Sequence, residues 1–190
     1  MVSEALVVPG DLKYEDQNGD DIIDQKDMYP SGYTDVPELT FSLNAGLNYK
    51  AIYLDLLFVG VTNRSVYLTG KDFYAFQQNG KVTSWALDRW TPDTRDIATY
   101  PRLSSLNNQN NFQRSTFWQR DGSFVKLQYA EVGIKLPYRI NEKLKLTESS
   151  IFINGTNLFS FDKVVEAADP EVLSGYPALR TYSIGAKIQF

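Results

Sequence analysis

The chain has neither cysteine nor histidine among its 190 residues. The first absence excludes a disulfide framework, a thiolate nucleophile and any Cys-ligated metal. The second excludes the usual serine-hydrolase triad and most catalytic zinc sites. Positive charge is scarce: 19 Lys and Arg face 23 Asp and Glu, a net charge of −4, whereas a nucleic-acid binder usually carries a basic patch. Long hydrophobic runs are also missing. The longest, Leu56 to Val61, is far short of the ~20 residues a spanning helix needs, so a helical membrane protein is excluded. A membrane β-barrel is not, because its alternating strands average to mild hydropathy, and the mean hydropathy here is −0.33. The opening Met1-Val-Ser-Glu-Ala-Leu has no basic region and no apolar core, so no secretory leader is legible in it.

Period-two alternation is the strongest positive signal. Phe41, Leu43, Ala45, Leu47 and Tyr49 alternate with polar or small residues, and Ile52, Leu54, Leu56 and Phe58 continue after Lys50-Ala51. This predicts two strands joined by a tight hairpin. A third strand starts near Ser123, with Ala130, Val132, Ile134 and Leu136 on one parity and Val125 and Leu127 on the other. That break predicts a bulge, or an upper half outside the patterned environment. A polar turn, Tyr138 to Lys143, leads to a mixed-parity run near Leu144–Phe161. The last ten residues alternate without error: Tyr182, Ile184, Ala186, Ile188 and Phe190 oppose Thr181, Ser183, Gly185, Lys187 and Gln189. Connections alternate between short and long, the long ones at 61–122 and 162–180, with short helices expected near Tyr74 and Trp85. Such sorting marks an outer-membrane barrel. A soluble antiparallel sheet with one dry face gives the same alternation. The fold class expected is all-β, an antiparallel transmembrane segment of about five strands over residues 41–190, preceded by a turn-rich acidic loop over 1–40.

Within that loop, Asp16-Gln-Asn18-Gly-Asp20-Asp-Ile22-Ile-Asp24-Gln-Lys-Asp27 carries calcium-loop spacing. Counting Asp16 as the first position, Asp16, Asn18, Asp20, Asp24 and Asp27 supply side-chain oxygens, and Ile22 a carbonyl. Calcium requires several hard oxygens around one point, and alternate residues of a coiled loop provide them. The pattern departs at Asp21, where a glycine usually takes the sharp turn, and at Asp27, which is shorter than the bidentate Glu. It looks like a dockerin-type half-site, because no flanking helices are evident. Trp85, Trp90 and Trp118 fall in or beside the long connection, where they could contact a substrate or partner, or pack the loop on itself. Asp55 and Glu131 take the polar parity of their strands and read as solvated lumen positions. Two sequons, Asn63-Arg-Ser65 and Asn154-Gly-Thr156, match a pattern common by chance. No Gly-rich phosphate loop and no nucleophile–base pair is present in the sequence, and no catalytic activity is expected.

A series of motifs carries a family resemblance. Pro9-Gly-Asp-Leu-Lys-Tyr14 runs into the acidic motif. Then come Asn44-Ala-Gly-Leu-Asn-Tyr-Lys50, Trp90-Thr-Pro92 with Tyr100-Pro-Arg-Leu103, and Asp121-Gly-Ser-Phe-Val-Lys-Leu127. Glu131-Val-Gly-Ile-Lys-Leu-Pro137, Asn154-Gly-Thr-Asn-Leu-Phe159, Asp169-Pro-Glu171, Tyr176-Pro and Arg180-Thr-Tyr182 follow, and Phe190 completes the series. In this order they resemble the C-terminal region of SusC-like TonB-dependent outer-membrane transporters of Bacteroidetes. The resemblance implies a fragment of a 22-stranded barrel around a plug, importing glycans or other nutrients. It implies as partners a SusD-like surface lipoprotein, TonB acting through a plug this chain does not contain, the barrel-assembly machinery, outer-membrane lipid, and an oligosaccharide or peptide substrate. Phe190 resembles the terminal aromatic read as an assembly signal. The C-terminus is then periplasmic and the long loops extracellular. The alternative expectation is a soluble calcium-dependent carbohydrate-binding β module.

Overall fold

The computed structural model describes residues 7–105, 108–164, 169–173 and 176–190. Its elements, in chain order, are β1 (Leu39–Tyr49), β2 (Ile52–Thr62), β3 (Ser65–Tyr67), β4 (Gln119–Asp121), β5 (Phe124–Lys135), α1 (Tyr138–Leu144), β6 (Glu148–Asp162) and β7 (Thr181–Gln189). Five strands form one antiparallel sheet in the order β1-β2-β5-β6-β7, the sequence order that the alternation predicts. Among the described residues no helix is long and apolar enough to cross a membrane.

The chain forms two compact units. One combines Met1–Gly32 with Tyr67–Arg120, the other Tyr33–Val66 with Asp121–Phe190. The acidic loop therefore shares a unit with most of the long connection rather than standing apart over residues 1–40. Hydrogen bonding is the reason. Arg102 N donates to the Gly10 carbonyl at 2.8 Å, Leu12 N to Asn111 Oδ1 at 2.7 Å and Asn110 Nδ2 to the Leu12 carbonyl at 2.8 Å. Around them lies an aromatic core. Trp118 is fully buried and meets the rings of Tyr74, Trp85, Tyr100, Phe112 and Phe117. Single 3-10 turns at Gln77–Asn79 and Ser84–Asp88 stand where short helices are expected.

In the sheet unit, parity explains most of the pattern. The bulge predicted in the third strand exists: pairing passes from Leu57↔Tyr129 to Phe58↔Leu127, skipping Gln128. On the other side it passes from Tyr129↔Thr156 to Leu127↔Phe159, skipping Asn157 and Leu158 as well. Asn157 accommodates the kink at φ 52. The bulge returns Val125 and Leu127 to the face of Ala130, Val132 and Ile134, and it puts Ile151, Ile153, Phe159 and Phe161 together. Lys50 takes the sharp position of the two-residue hairpin at φ 57. The turn expected at Tyr138–Lys143 is instead α1, preceded by Pro137 at φ −61 and ended by Lys145 at φ 58. Seven residues make only two helical turns, too few to print a period on the sequence.

Candidate functional site

The register aligns side chains into rows that cross the strands. Leu47, Leu54, Val132, Ile153 and Ile184 make one row, and Tyr49, Ile52, Ile134, Ile151 and Ala186 another. Both lie on the apolar parity. Between and beside them, on the opposite parity, run Gly46, Asp55, Glu131, Asn154 and Ser183, then Asn48, Tyr53, Gly133, Phe152 and Gly185. Burial is inverted relative to a soluble sheet. Leu47 is 63% exposed, Ile153 54% and Ile184 76%, while Glu131 is 3% exposed and Lys126 4%. A sheet that bares its apolar face while covering Glu131 and Lys126 is placed for a non-aqueous surround.

Glu131 is the centre of the covered face. Tyr53 Oη donates to its Oε1 at 3.0 Å, Asn154 Nδ2 to its Oε2 at 3.4 Å, and Tyr129 Oη also donates to Oε2. Lys187 on β7 reaches across β6 to pair with the same carboxylate. Its ammonium lies 4.8 Å from the Phe152 ring centroid and 5.5 Å from that of Tyr53. The cluster satisfies a buried charge with an opposite charge and hydrogen-bond donors, the arrangement such burial requires. Beside it a concavity of about 500 Å³ is lined by Tyr53, Asp55, Lys135, Glu148 and Lys187 among others. Lys135 there pairs with Glu148 at 2.7 Å. Toward the long-connection end of β5, Lys126 pairs with Asp169 at 3.4 Å and with Glu171. Arg64 donates to the Pro170 carbonyl at 3.0 Å. These bonds tie the 169–171 segment down.

The structure treats the residues singled out by sequence unequally. Asp55 and Glu131 prove to be direct cross-strand partners, which sequence separation hides. Asp55 is exposed as expected, but Glu131 is not solvated, because Lys187 and three further donors replace its water. Trp118 offers no surface to a substrate: its ring is core, and its Nε1 donates to the Asn111 carbonyl at 2.7 Å. Trp85 packs edge-on against Phe73, Tyr100 and Trp118, and Trp90 covers Gly10. Of the three only Trp118 is fully buried; Trp85 and Trp90 stay half-buried. Phe190 follows β7 and is 92% exposed.

In the acidic loop, Asp16 accepts from the backbone N–H groups of Asn18, Gly19 and Asp21. Asn18 accepts from Asp20 N, and Asp20 from Ile22 N. Asp27 closes the coil by accepting from Gln17 N at 2.9 Å and Asp24 N at 2.7 Å. Those two bonds hold its carboxyl below the ordinary value. Asp24 in turn accepts from Lys26 N. Asp21 takes the sharp turn at φ 61, doing what a glycine usually does at that position. The backbone path and the hard-oxygen donor set thus suit calcium. The carboxylates, however, are turned onto loop N–H groups, and no three acidic groups come together among the described residues.

Sequence reasoning missed the Glu131–Lys187 pair and the hub at Asp11. The Asp11 side chain is buried and pairs with Arg102 at 2.7 Å. It accepts from Val8 N at 3.0 Å, Asn108 Nδ2 at 2.8 Å and Asn111 Nδ2 at 2.9 Å. Burial alone would raise its carboxyl, but these hydrogen bonds outweigh it and hold the group below the ordinary value. The available signal was that Pro9–Tyr14 and Tyr100–Leu103 both stand out as motifs.

No protein-family model matches the chain. Two curated relatives from Formosa agariphila do. TonB-dependent receptor P26 is 28% identical over 96% of the chain and 20% of its own length. TonB-dependent receptor P3 is 24% identical over 96% of the chain and 19% of its own length. The chain therefore spans about a fifth of the relatives it matches. Among solved structures, the RagAB peptide transporter superposes with a TM-score of 0.63 at 20% identity, over 83% of this chain and 18% of that one. The RagAB peptide importer in its open-open state gives 0.60 at 21% identity, with the same coverage. These relatives are receptors and transporters rather than enzymes, in line with the expectation that the chain catalyses no reaction. Along nearly its whole length the chain is thus similar to a part of TonB-dependent receptors, and it shares the fold of the matching part of the RagAB transporter.

Proposed function

We propose that this chain is barrel wall: a five-stranded part of an outer-membrane receptor that imports nutrients with energy delivered through TonB. One observation carries the reading, the inverted sheet. Its bare Leu, Ile and Val face suits lipid, and its covered Glu131, Lys126 and Tyr53 face suits a lumen. A soluble calcium-dependent carbohydrate-binding module would have to leave that apolar face in water, which disfavours it. The cargo is an oligosaccharide or a peptide. Polar side chains along the covered face suit either, and the structural neighbours are named for peptides. A SusD-like surface lipoprotein is the partner in this reading, and the 61–122 and 162–180 connections are extracellular. Spin labels attached singly at Ile153, Ile184, Asp55 and Ser183 in the membrane-inserted protein test it. Labels at Ile153 and Ile184 should be relaxed by oxygen and shielded from a polar nickel chelate, with the reverse at Asp55 and Ser183. Access of the nickel chelate to Ile153 and Ile184 would refute the assignment.

The acidic loop adds a calcium site to this proposal. The positive φ of Asp21, the spacing of Asp16, Asn18, Asp20, Asp24 and Asp27 and the Ile22 carbonyl support it. Binding requires the side chains to turn from loop N–H groups onto the ion. Calorimetric titration with calcium should show heat that Asp20→Ala removes, and absence of heat in the parent protein ends the proposal.

A further inference from the structure

In a hairpin, a tight turn fixes which residues face each other. Lys50-Ala51 does this for β1 and β2. The connections before β5 and before β7 are far longer, so they hold no register information. Alternation does not supply it either. A one-residue slip of β7 would turn its apolar face inward, but a two-residue slip keeps Tyr182, Ile184, Ala186 and Ile188 on the same side. Something other than turns and polarity must choose between registers two residues apart.

We propose that the Glu131 cluster and the Tyr53-Gly133-Phe152-Gly185 row form a register code for the two strand pairs with long connections. The row alternates ring and glycine across four neighbouring strands. A Cβ built on Gly133 would fall 2.3 Å from Tyr53 Cζ, and one on Gly185 2.5 Å from Phe152 Cζ. With the rings so placed, any residue but glycine opposite them forces a ring to move. A two-residue slip of β7 sets Ser183 or Lys187 opposite Phe152 in place of Gly185. It also moves the Lys187 ammonium about 6.8 Å along the strand and takes it from the buried Glu131 carboxylate. A two-residue slip of β2 against β5 likewise sets Glu131 or Lys135 opposite Tyr53 and breaks the 3.0 Å bond from its hydroxyl to Glu131. Glu131 belongs to both pairings, which is why one carboxylate serves two strands that no short turn positions.

Cysteine pairs read the register directly, since this chain has no cysteine of its own. The background is the intact protein in the membrane where it is expressed, treated with a short thiol–thiol cross-linker. Ile153→Cys with Ile184→Cys reports the native pairing, and Ile153→Cys with Ala186→Cys reports a slip of two. The parent should give only the first product. Gly185→Ser, Lys187→Gly and Gln189→Lys together move the glycine and the lysine two residues along β7. This relocation variant should give the second product in place of the first. A separate variant, Glu131→Gln with Phe152→Ser and Lys187→Met, removes both elements without moving them, and should give both products. Retention of the native product alone in the removal variant overturns the proposal, whether or not the relocation variant assembles. The readout is strand pairing rather than lipid exposure, so its outcome is separate from that of the spin labels.

Discussion

Trp118→Ala tests whether the long connection is a folded unit with its own core. The indole is fully buried, touches five other aromatic rings and donates from Nε1 to the Asn111 carbonyl at 2.7 Å. Truncating such a ring costs about 3–5 kcal/mol in lost transfer energy and residual cavity. Hydrogen exchange followed by mass spectrometry, on the protein in detergent, localises that loss to peptides within 67–105 and 108–120. At 1.4 kcal/mol per tenfold, the most protected amides there should exchange about 2 to 3.5 decades faster. Peptides from β1 and β7 serve as the internal reference. Trp118→Phe keeps most of the ring volume and should cost about 1–3 kcal/mol, chiefly from the unpaired Asn111 carbonyl. Protection within tenfold of the parent in Trp118→Ala would refute the core account. Intact protection with loss of cargo binding would instead make Trp118 a contact residue.

Asp11→Asn should destabilise the same unit by about 3 kcal/mol at neutral pH, because Arg102 loses its buried counter-charge. The parent carboxyl is depressed, so its contribution is present above the unfolded value of about 3.9 and is lost as pH falls through the folded value. The two proteins should converge in acid, as a pH series of denaturant midpoints would show. Ile184→Lys should cost about 2–4 kcal/mol near the bilayer midplane and lower the level of membrane-inserted protein, while Ser183→Lys should leave it unchanged. Immunoblots of outer-membrane fractions check both. Lys50→Gly removes a left-handed strain at φ 57 and should stabilise the first hairpin by about 1 kcal/mol, seen as slower exchange of the β1 and β2 amides.

How much could be read from sequence depended on whether the signal was local. The strand from Thr181 to Gln189 states its two faces in nine adjacent residues, so its type and orientation are plain. The bulge at Gln128 is legible because it breaks parity, whereas its counterpart at Asn157–Leu158 only makes β6 look mixed. α1 is too short to print a helical period. The Glu131–Lys187 and Asp11–Arg102 pairs join residues 56 and 91 positions apart. No spacing rule reaches that far, since such pairs come into being only when the sheet register and the loop packing are in place. The acidic loop is the opposite case. Its spacing shows in twelve residues, and the positive φ of Asp21 fits the departure noted at that position.

The chain leaves the sheet unit after Val66 and re-enters it at Asp121. Beside those points, Gly122 N donates to the Arg64 carbonyl at 2.8 Å. Exit and return thus lie side by side once β2 and β5 are paired, and the sheet bears no imprint of how many residues lie between. Such a junction lets evolution or an engineer graft a different connection without re-laying a strand. The graft has one obligation. Because Asp11 grips Arg102, Asn108 and Asn111, the segment around residues 8–14 is part of the same cassette and has to be exchanged with it. Chimeras that transplant 67–120 alone should lose that anchorage, whereas those that carry both pieces keep it.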